Sequence, residues 1–302
     1  MLFMAMSDTL SAGSTGASWR DYLTLTKPRV VAVLVLTSMV GMLLASPVLP
    51  SVDLFILANL GIGLAASAAA VVNHVVDRRI DAMMSRTKHR PVCDGKVSAI
   101  NALLFSFVLG TSGLSMLIIV ANPLTALLTF ASIIGYAVIY TLYLKRATPQ
   151  NIVIGGIAGA SPPLLGWVAV TGTIDPHALL LVAIIFAWTP PHFWALCIAK
   201  KEDYANAGIP MLPVTHGDEY TRLQMLLYTI LMILVTMLPY LTGMSGILYL
   251  AGVTVINIRF LVLLKKQAET KDPQDAMALF WYSIRYIMWM FLFLLVDHFA
   301  AV

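Results

Sequence analysis

A polar run from Asn73 to Pro91, NHVVDRRIDAMMSRTKHRP, follows a long apolar segment and holds the residue types best suited to chemistry. Asn73, Asp77 and Asp81 recur every four residues, so a helix that continues through them places their oxygens on one face. Carboxylate and amide oxygens suit Mg²⁺, which completes its shell with water and phosphate oxygens. The pattern predicts a metal site beside phosphate-binding cations, at Arg78, Arg79, Arg86, Lys88 and Arg90. The alternative is a charged loop with ion pairs on a helix surface.

A second, weaker cluster of the same kind follows a later apolar run. It contains carboxylates, cations and one tyrosine, namely Lys200, Lys201, Glu202, Asp203 and Tyr204. Four apolar runs separate it from the first cluster, so both clusters are expected on the same side of a membrane. Two acidic clusters that converge from two helix ends suit a clamp for metal and diphosphate better than either alone.

Three other positions in apolar runs have two interpretations each. Tyr140 and Tyr143 precede Lys145 and Arg146, which favours a pocket for an apolar tail with an anionic head; an aromatic belt with a basic flank gives the same pattern. His192 lies in mid-run after Pro190-Pro191 and is predicted as a site residue, because polar groups within membranes are rare and functional. A hydrogen bond to a carbonyl that the prolines leave free is the alternative. The glycines and prolines of NIVIGGIAGASPPLLGW predict a kinked or closely packed helix.

Composition sets the class of protein. Of 302 residues, 59% are hydrophobic and 11% are charged, with a mean hydropathy of +0.86, whereas soluble domains are about 45–50% apolar and about 25% charged. Backbone groups cannot go unpaired in lipid, so each apolar run is expected to be a helix. The runs are Val30–Leu49, Leu54–Val75, Val97–Val120, Leu124–Leu144, Ile152–Thr171, Ala178–Ala199, Met225–Thr242, Gly246–Leu264 and Ala278–Phe299. The sequence predicts an all-α membrane protein with about nine spans.

Lysine and arginine predict the orientation, because short loops that carry them stay in the cytoplasm. They cluster in alternate loops, which puts the N-terminus in the cytoplasm and the C-terminus outside. The net charge of +4 then reflects topology and attraction to anionic lipid or diphosphate, and makes no case for nucleic acid. Lys27 and Arg29 are predicted to be a snorkelling basic flank unless they face the site. Arg285, far from either end of its run, is expected to face the protein interior.

The first residues carry no signal that would direct the chain elsewhere. No lysine or arginine precedes Arg20, so neither a basic signal peptide nor an arginine-rich transit peptide is predicted, and a bacterial plasma (inner) membrane is the expected location. Residues 1–18 are expected to form a flexible tail, and residues 19–302 a single membrane domain.

Taken together, these motifs resemble the UbiA superfamily of intramembrane prenyltransferases. The resemblance is carried by the Asn73, Asp77 and Asp81 face, by Thr26-Lys27-Pro28-Arg29, and by Leu144-Lys145-Arg146 with Thr148. The segments NHVVDRRIDAMMSRTKHRP, NIVIGGIAGASPPLLGW, TPPHFWAL and DYANAGIPMLPV are more closely similar to the branch of that family that prenylates haem. One departure is visible, because the second aspartate motif of the family is reduced here to Glu202, Asp203 and Tyr204.

The resemblance implies nine helices around a central cavity, and it implies roles for single residues. Mg²⁺ would bind Asn73, Asp77, Asp81 and Asp203, and catalysis would also involve Lys145 and Arg146. Substrates would contact Arg78, Arg86, Arg90, Tyr140, Tyr143, Lys200, Asp203, Tyr204 and, for haem, His192.

The implied reaction transfers farnesyl from farnesyl diphosphate to the 2-vinyl group of haem B with addition of water, at a site that opens to the cytoplasm. Association with haem A synthase or with terminal oxidase assembly is also implied. Two alternatives stay open at this point, a prenyltransferase acting on an aromatic quinone precursor and a secondary transporter.

The orientation can be tested with reporter fusions. A reporter fused after Val302 is expected to read as outside, and one inserted between residues 86 and 96 as inside, because of the lysine and arginine asymmetry. The reverse pattern would remove the cytoplasmic diphosphate site.

Overall fold

The computed structural model describes residues 16–85 and 87–300. Most of the predicted tail and the candidate Arg86 therefore lie outside the described residues. In the described part, all regular elements are helical. They are α1 Trp19–Leu25, α2 Pro28–Leu44, α3 Val52–Asp81, α4 Ala99–Val120, α5 Pro123–Ile133, a π-helical segment Ile134–Leu144, α6 Lys145–Ala147, α7 Asn151–Ala160, α8 Pro162–Thr171, α9 Pro176–Ala199, α10 Lys201–Asn206, α11 Leu212–Thr215, α12 Gly217–Leu241, α13 Ile247–Thr270 and α14 Pro273–Ala300.

The helices confirm the predicted all-α membrane fold. Within residues 16–85 and 87–300, eight helical stretches are long and apolar enough to cross a membrane, and α1 with α2 makes a ninth that is bent by 53°. One of these stretches joins α5, the π segment and α6, and another joins α7 and α8. The second span continues as helix to Asp81, beyond the end of the apolar run at Val75, and so carries the acidic face on its last turns as the four-residue spacing predicts.

The bend between α1 and α2 is centred on Lys27. Pro28 opens α2, and Lys27 before it has a left-handed backbone with φ of 50°. A residue that precedes proline is restricted, and a positive φ is unfavourable for any residue with a side chain. The surrounding packing holds this strained residue, as is common near functional groups.

Helices α2 and α8 meet at very close range through two glycines. A Cβ at Gly41 would lie 2.0 Å from the carbonyl oxygen of Pro163, and one at Gly166 would lie 2.0 Å from that of Ser38. Close approach of small residues is how membrane helices gain contact, because lipid supplies little hydrophobic driving force between them. The predicted kink of the fifth span is the break at Ser161 between α7 and α8.

Helices α9 and α12 to α14 form the other part of the bundle. Trp194, Tyr249, Phe260 and Tyr286 are fully buried there or nearly so. The prediction for Arg285 is wrong, because this residue is exposed on α14. Its guanidinium lies 6.0 Å from the ring centroid of Tyr282, so an aromatic face offsets part of the cost of a charge at that depth.

Candidate active site

Three buried oxygen-bearing side chains lie on the last turns of α3. Asn73, Asp77 and Asp81 are 4%, 1% and 2% exposed. Each accepts a hydrogen bond from a cation of a different segment: Asn73 from the Lys27 ammonium, Asp77 from the Lys145 ammonium at 2.6 Å and Asp81 from the Arg90 guanidinium. Buried charges are stable only when they are paired. The three contacts therefore hold the segments that carry Lys27, Lys145 and Arg90 against the end of α3.

The amide of Asn73 organises the cluster. Its Nδ2 donates to Asp77 Oδ2 at 2.8 Å and to the Thr141 hydroxyl at 3.2 Å. Thr141 uses its own proton for the Tyr136 carbonyl oxygen at 2.8 Å, so its oxygen is free to accept. The bond from Thr141 to Tyr136 joins residues five apart, which lie on one face in the π segment. In a regular α-helix, residues three and four apart would share that face. The Asn73 oxygen is thereby turned toward Lys27.

The donor set fits a divalent cation bound together with phosphate. Asp77 Oδ1 is buried and has no hydrogen-bond partner among residues 16–85 and 87–300. No group of three or more His, Cys, Asp and Glu that could hold a metal occurs among the described residues. Mg²⁺ needs only one or two carboxylates when phosphate and water complete its octahedron, and amide oxygens are also suitable ligands.

The second acidic cluster lies beside the first. The Ser85 hydroxyl, just after α3, donates to the two carboxylate oxygens of Asp203 on α10, at 3.0 and 3.1 Å. Tyr204 is buried in a cluster that includes Ile80 and Cys197. The chain therefore brings the two acidic segments together as the repeat predicted, although Glu202 is exposed.

An apolar cavity of about 170 Å³ opens next to the charged cluster. It lies between α2, α3, α5, the π segment, α7 and α8, and Lys27 and Tyr136 line its polar end. The Tyr136 and Tyr140 rings stack with centroids 5.7 Å apart, and Lys27 Nζ lies 3.4 Å from the Tyr136 hydroxyl. Cations and carboxylates at one end and an apolar volume at the other suit an amphiphile with an anionic head.

Three residues of this site were not among the sequence candidates. Lys27 faces the site, which is the exception that the sequence left open to a snorkelling flank, whereas Arg29 is exposed. Tyr136 and Thr141 come from the π segment, where residues four and five apart share a face. A sequence signal for Tyr136 exists in hindsight, because it lies four residues before Tyr140.

Several candidates lie away from the cluster. Tyr143 is 69% exposed, so its predicted place in the pocket is wrong. In the π segment, residues four and five apart share a face, and Tyr143 is three residues from Tyr140, so the two rings point in different directions. Other exposed candidates are Arg78, Arg146 and Lys200. Arg78 donates to the Val75 carbonyl of its own helix at 3.2 Å, and the part of the chain described here shows no polar side-chain partner for Arg146 or Lys200.

His192 is held between two aromatic rings at the interface of α9 and α14. Trp188 and Phe280 stack on its faces, with centroid distances of 4.2 and 4.6 Å. The Ser283 hydroxyl donates to the Phe280 carbonyl at 2.6 Å and therefore accepts from His192 Nδ1 at 2.6 Å. This bond leaves the lone pair on Nε2. Among the described residues, His192 is not one of those that line the cavity beside Lys27.

Cys93 is the free thiol nearest to the cluster outside the membrane-spanning helices. Its Sγ lies 3.3 Å from the Arg78 carbonyl oxygen. Burial raises the pKa of the Cys93 thiol above its ordinary value, and the nearby Asp81 carboxylate raises it further. The thiol is therefore protonated at neutral pH and is a poor nucleophile.

Comparison with known proteins identifies the family. The sequence profile of the UbiA prenyltransferase family matches residues 34–295. The chain belongs to this family. It is 59% identical over 285 residues to the protoheme IX farnesyltransferase of Marinobacter nauticus, covering 94% of each chain. It is 55% identical over 297 residues to the protoheme IX farnesyltransferase of Hahella chejuensis, covering 98% of this chain and 99% of the relative.

Solved structures of distant relatives have the same fold. A structure described as digeranylgeranylglyceryl phosphate synthase in membranes superposes with a TM-score of 0.78 at 19% identity, covering 93% of this chain and 98% of that one. A UbiA homologue from Archaeoglobus fulgidus, bound to DMAPP and Mg²⁺, has a TM-score of 0.64 at 15% identity, covering 91% of this chain and 99% of that one. At such identities the likeness concerns the fold alone.

Lys27→Met tests whether the ammonium at the α1–α2 break serves the anionic end of the site. Loss of a charge-assisted hydrogen bond is expected to weaken binding of a prenyl diphosphate by about tenfold to a hundredfold. Direct binding to the purified protein measures this. Arg29→Met, two residues away on an exposed position, is the matched control and should bind as the parent does. Equal affinities for all three proteins would assign Lys27 to packing.

Proposed function

We propose that this protein transfers the farnesyl group of farnesyl diphosphate to the 2-vinyl group of haem B, with addition of water, to give haem O and diphosphate. The observation that carries the proposal is identity of 55–59% along nearly the whole chain to protoheme IX farnesyltransferases. The charged cluster that opens onto an apolar cavity supports it, because farnesyl diphosphate is an anionic head on an apolar chain. A secondary transporter does not account for either observation.

The diphosphate is expected to bind where the three cations meet α3. Lys27, Lys145 and Arg90 already point their charges at Asn73, Asp77 and Asp81. When the diphosphate enters, Lys145 and Arg90 exchange one anionic partner for another, and Lys27 exchanges the neutral Asn73 amide oxygen for a phosphate oxygen. The unpartnered Asp77 Oδ1, with Asn73 and Asp81, would hold Mg²⁺, which when bound supplies positive charge to the leaving diphosphate oxygens. Asp203, hydrogen-bonded to Ser85, is a second predicted metal ligand.

The residues of the chain support ionisation of the allylic C–O bond. The bond breaks with its electron pair on the diphosphate, whose charge Lys27, Lys145 and Arg90 stabilise. The faces of the Tyr136 and Tyr140 rings stabilise the farnesyl cation that remains. The vinyl π electrons of haem then form the new C–C bond, and water captures the second cation and loses a proton. The apolar walls of the cavity keep other water from the first cation.

Other expected contributions lie around this core. Arg78, Arg146 and Lys200 would contribute positive charge at the mouth of the site, and Tyr204 supports it from the second cluster. A role for Arg86, outside the described residues, stays a prediction from the sequence. We place the mouth on the cytoplasmic side of the inner membrane, on the lysine and arginine asymmetry. Association with haem A synthase or terminal oxidase assembly stays a prediction.

We also propose His192 as the residue that ligates or orients the haem. Its Nδ1 is held by Ser283, and a ring nitrogen fixed in this way leaves Nε2 as the one that binds iron. The stacked Trp188 and Phe280 rings fix the plane of the imidazole.

The carboxylates of α3 give the most direct test of the proposed reaction. Asp77→Asn and Asp81→Asn each keep the size of the side chain and remove a charge, so haem O formation should fall by about 100-fold or more. Purified protein is incubated with haem B, farnesyl diphosphate and Mg²⁺, and the haem is weighed by mass spectrometry. Asp94→Asn is the matched control. It removes a carboxylate from the loop after α3 that pairs with Lys96, and it should retain activity. Near-normal turnover in both α3 variants would contradict the assignment.

A spectroscopic experiment tests His192. His192→Ala is expected to change the visible absorption of bound haem and to weaken haem binding, with farnesyl diphosphate binding retained. His177→Ala, near the start of the same helix, should behave as the parent protein. An unchanged spectrum together with unchanged turnover would give His192 a structural role only.

A further inference from the structure

A second space lies next to the apolar cavity beside Lys27, on the other side of residues that line both. A groove of about 340 Å³ lies between α5 with the π segment on one side and α7 with α8 on the other. The cavity and the groove share four lining residues, namely Ser132, Ala158, Ser161 and Leu165. Ile139, Ile154 and Ile157 of the groove are exposed on the outer surface of the bundle, so the groove leads from the interior toward the lipid.

The inner cavity is too small for a farnesyl chain. A cavity of about 150 Å³ holds one molecule of benzene, which has six carbon atoms. At about 170 Å³, the inner cavity is close to that size, whereas a farnesyl chain has three isoprene units of five carbon atoms each. With the diphosphate at Lys27, the far end of the chain needs further volume, and the groove lies directly beyond the four shared residues.

Two hydroxyls and a helix break form this junction. Ser132 of α5 donates to the Ser161 oxygen at 2.9 Å, and Ser161 donates to the Ala158 carbonyl at 2.9 Å. Ser161 lies at the break between α7 and α8, directly before Pro162-Pro163. Small side chains from two elements therefore meet at this point, and Leu165 of α8 is the large side chain among the four. The width of the passage depends on how much volume Ser132, Ala158 and Ser161 occupy.

We infer that the junction of Ser132, Ala158, Ser161 and Leu165 selects the length of the isoprenoid chain. A two-unit chain ends at or before the junction, and a three-unit chain crosses it and places its last unit in the groove. This inference rests on the proposed prenyl transfer, because it names the residues that discriminate among prenyl diphosphates at that same site. Apolar contact of the third unit with the groove then favours farnesyl over geranyl.

The experiment compares geranyl, farnesyl and geranylgeranyl diphosphates as donors to haem B in purified full-length protein. Ser132→Leu narrows the junction and is expected to lower the ratio of farnesyl to geranyl transfer by about tenfold or more, since a few methylenes in an apolar pocket discriminate on that scale. Ser132→Ala removes the hydroxyl without adding bulk and should leave the ratio within about twofold. Ser112→Leu, at an exposed serine of α4, is the matched control for an added leucine.

The outcomes separate this inference from the proposed function. Absence of farnesyl transfer in the parent protein would refute the proposed function itself. A parent that transfers farnesyl, with a Ser132→Leu variant whose ratio is unchanged or whose geranyl and farnesyl transfer fall equally, would overturn the junction. Ala158→Val adds volume to the same junction from α7, and if Ser132→Leu fails to fold, this variant has to show the same shift toward geranyl.

Discussion

The structure depends on the neutralisation of two buried carboxylates. Asp77 and Asp81 are almost without contact with solvent, and each is paired with a cation from another segment. Removing one partner of a buried pair leaves an uncompensated charge, which costs about 3–5 kcal/mol. The groups that we propose for catalysis therefore also stabilise the fold. They join the C-terminal end of α3 to the start of α6 and to the loop that carries Arg90.

Two local departures from ideal helix geometry serve this pairing. The left-handed backbone of Lys27 and the break before Pro28 turn an ammonium inward where a straight helix would leave it at the surface. The π segment brings Tyr136, Tyr140 and Thr141 to one face and delivers Lys145 to Asp77. Both departures have an energetic cost in isolation, and the ion pairs and the Asn73 amide hold them in place.

The general architecture and the α3 face were accessible from the sequence for physical reasons. Apolar runs in lipid can only be helices, and a spacing of four residues on a helix specifies a face. The sequence left the direction of Lys27 open, because a basic residue at the start of a span looks the same whether it snorkels or turns inward. Tyr143 was misplaced, because nothing in IGYAVIYTLYL distinguishes a π turn from an α turn. Arg285 was misjudged since its aromatic partner, Tyr282, lies on the same outward part of α14.

The pairing of α3 with cations also has a consequence for how an ion enters the site. Lys145 and Arg90 balance the two carboxylates, and Lys27, whose partner is the neutral Asn73 amide, adds a third basic group at the edge of an apolar interior. A diphosphate that arrives with its metal therefore finds charges that are already desolvated and already oriented. Little solvent has to be reorganised on binding, and the exchange of one set of ionic contacts for another can occur almost in place.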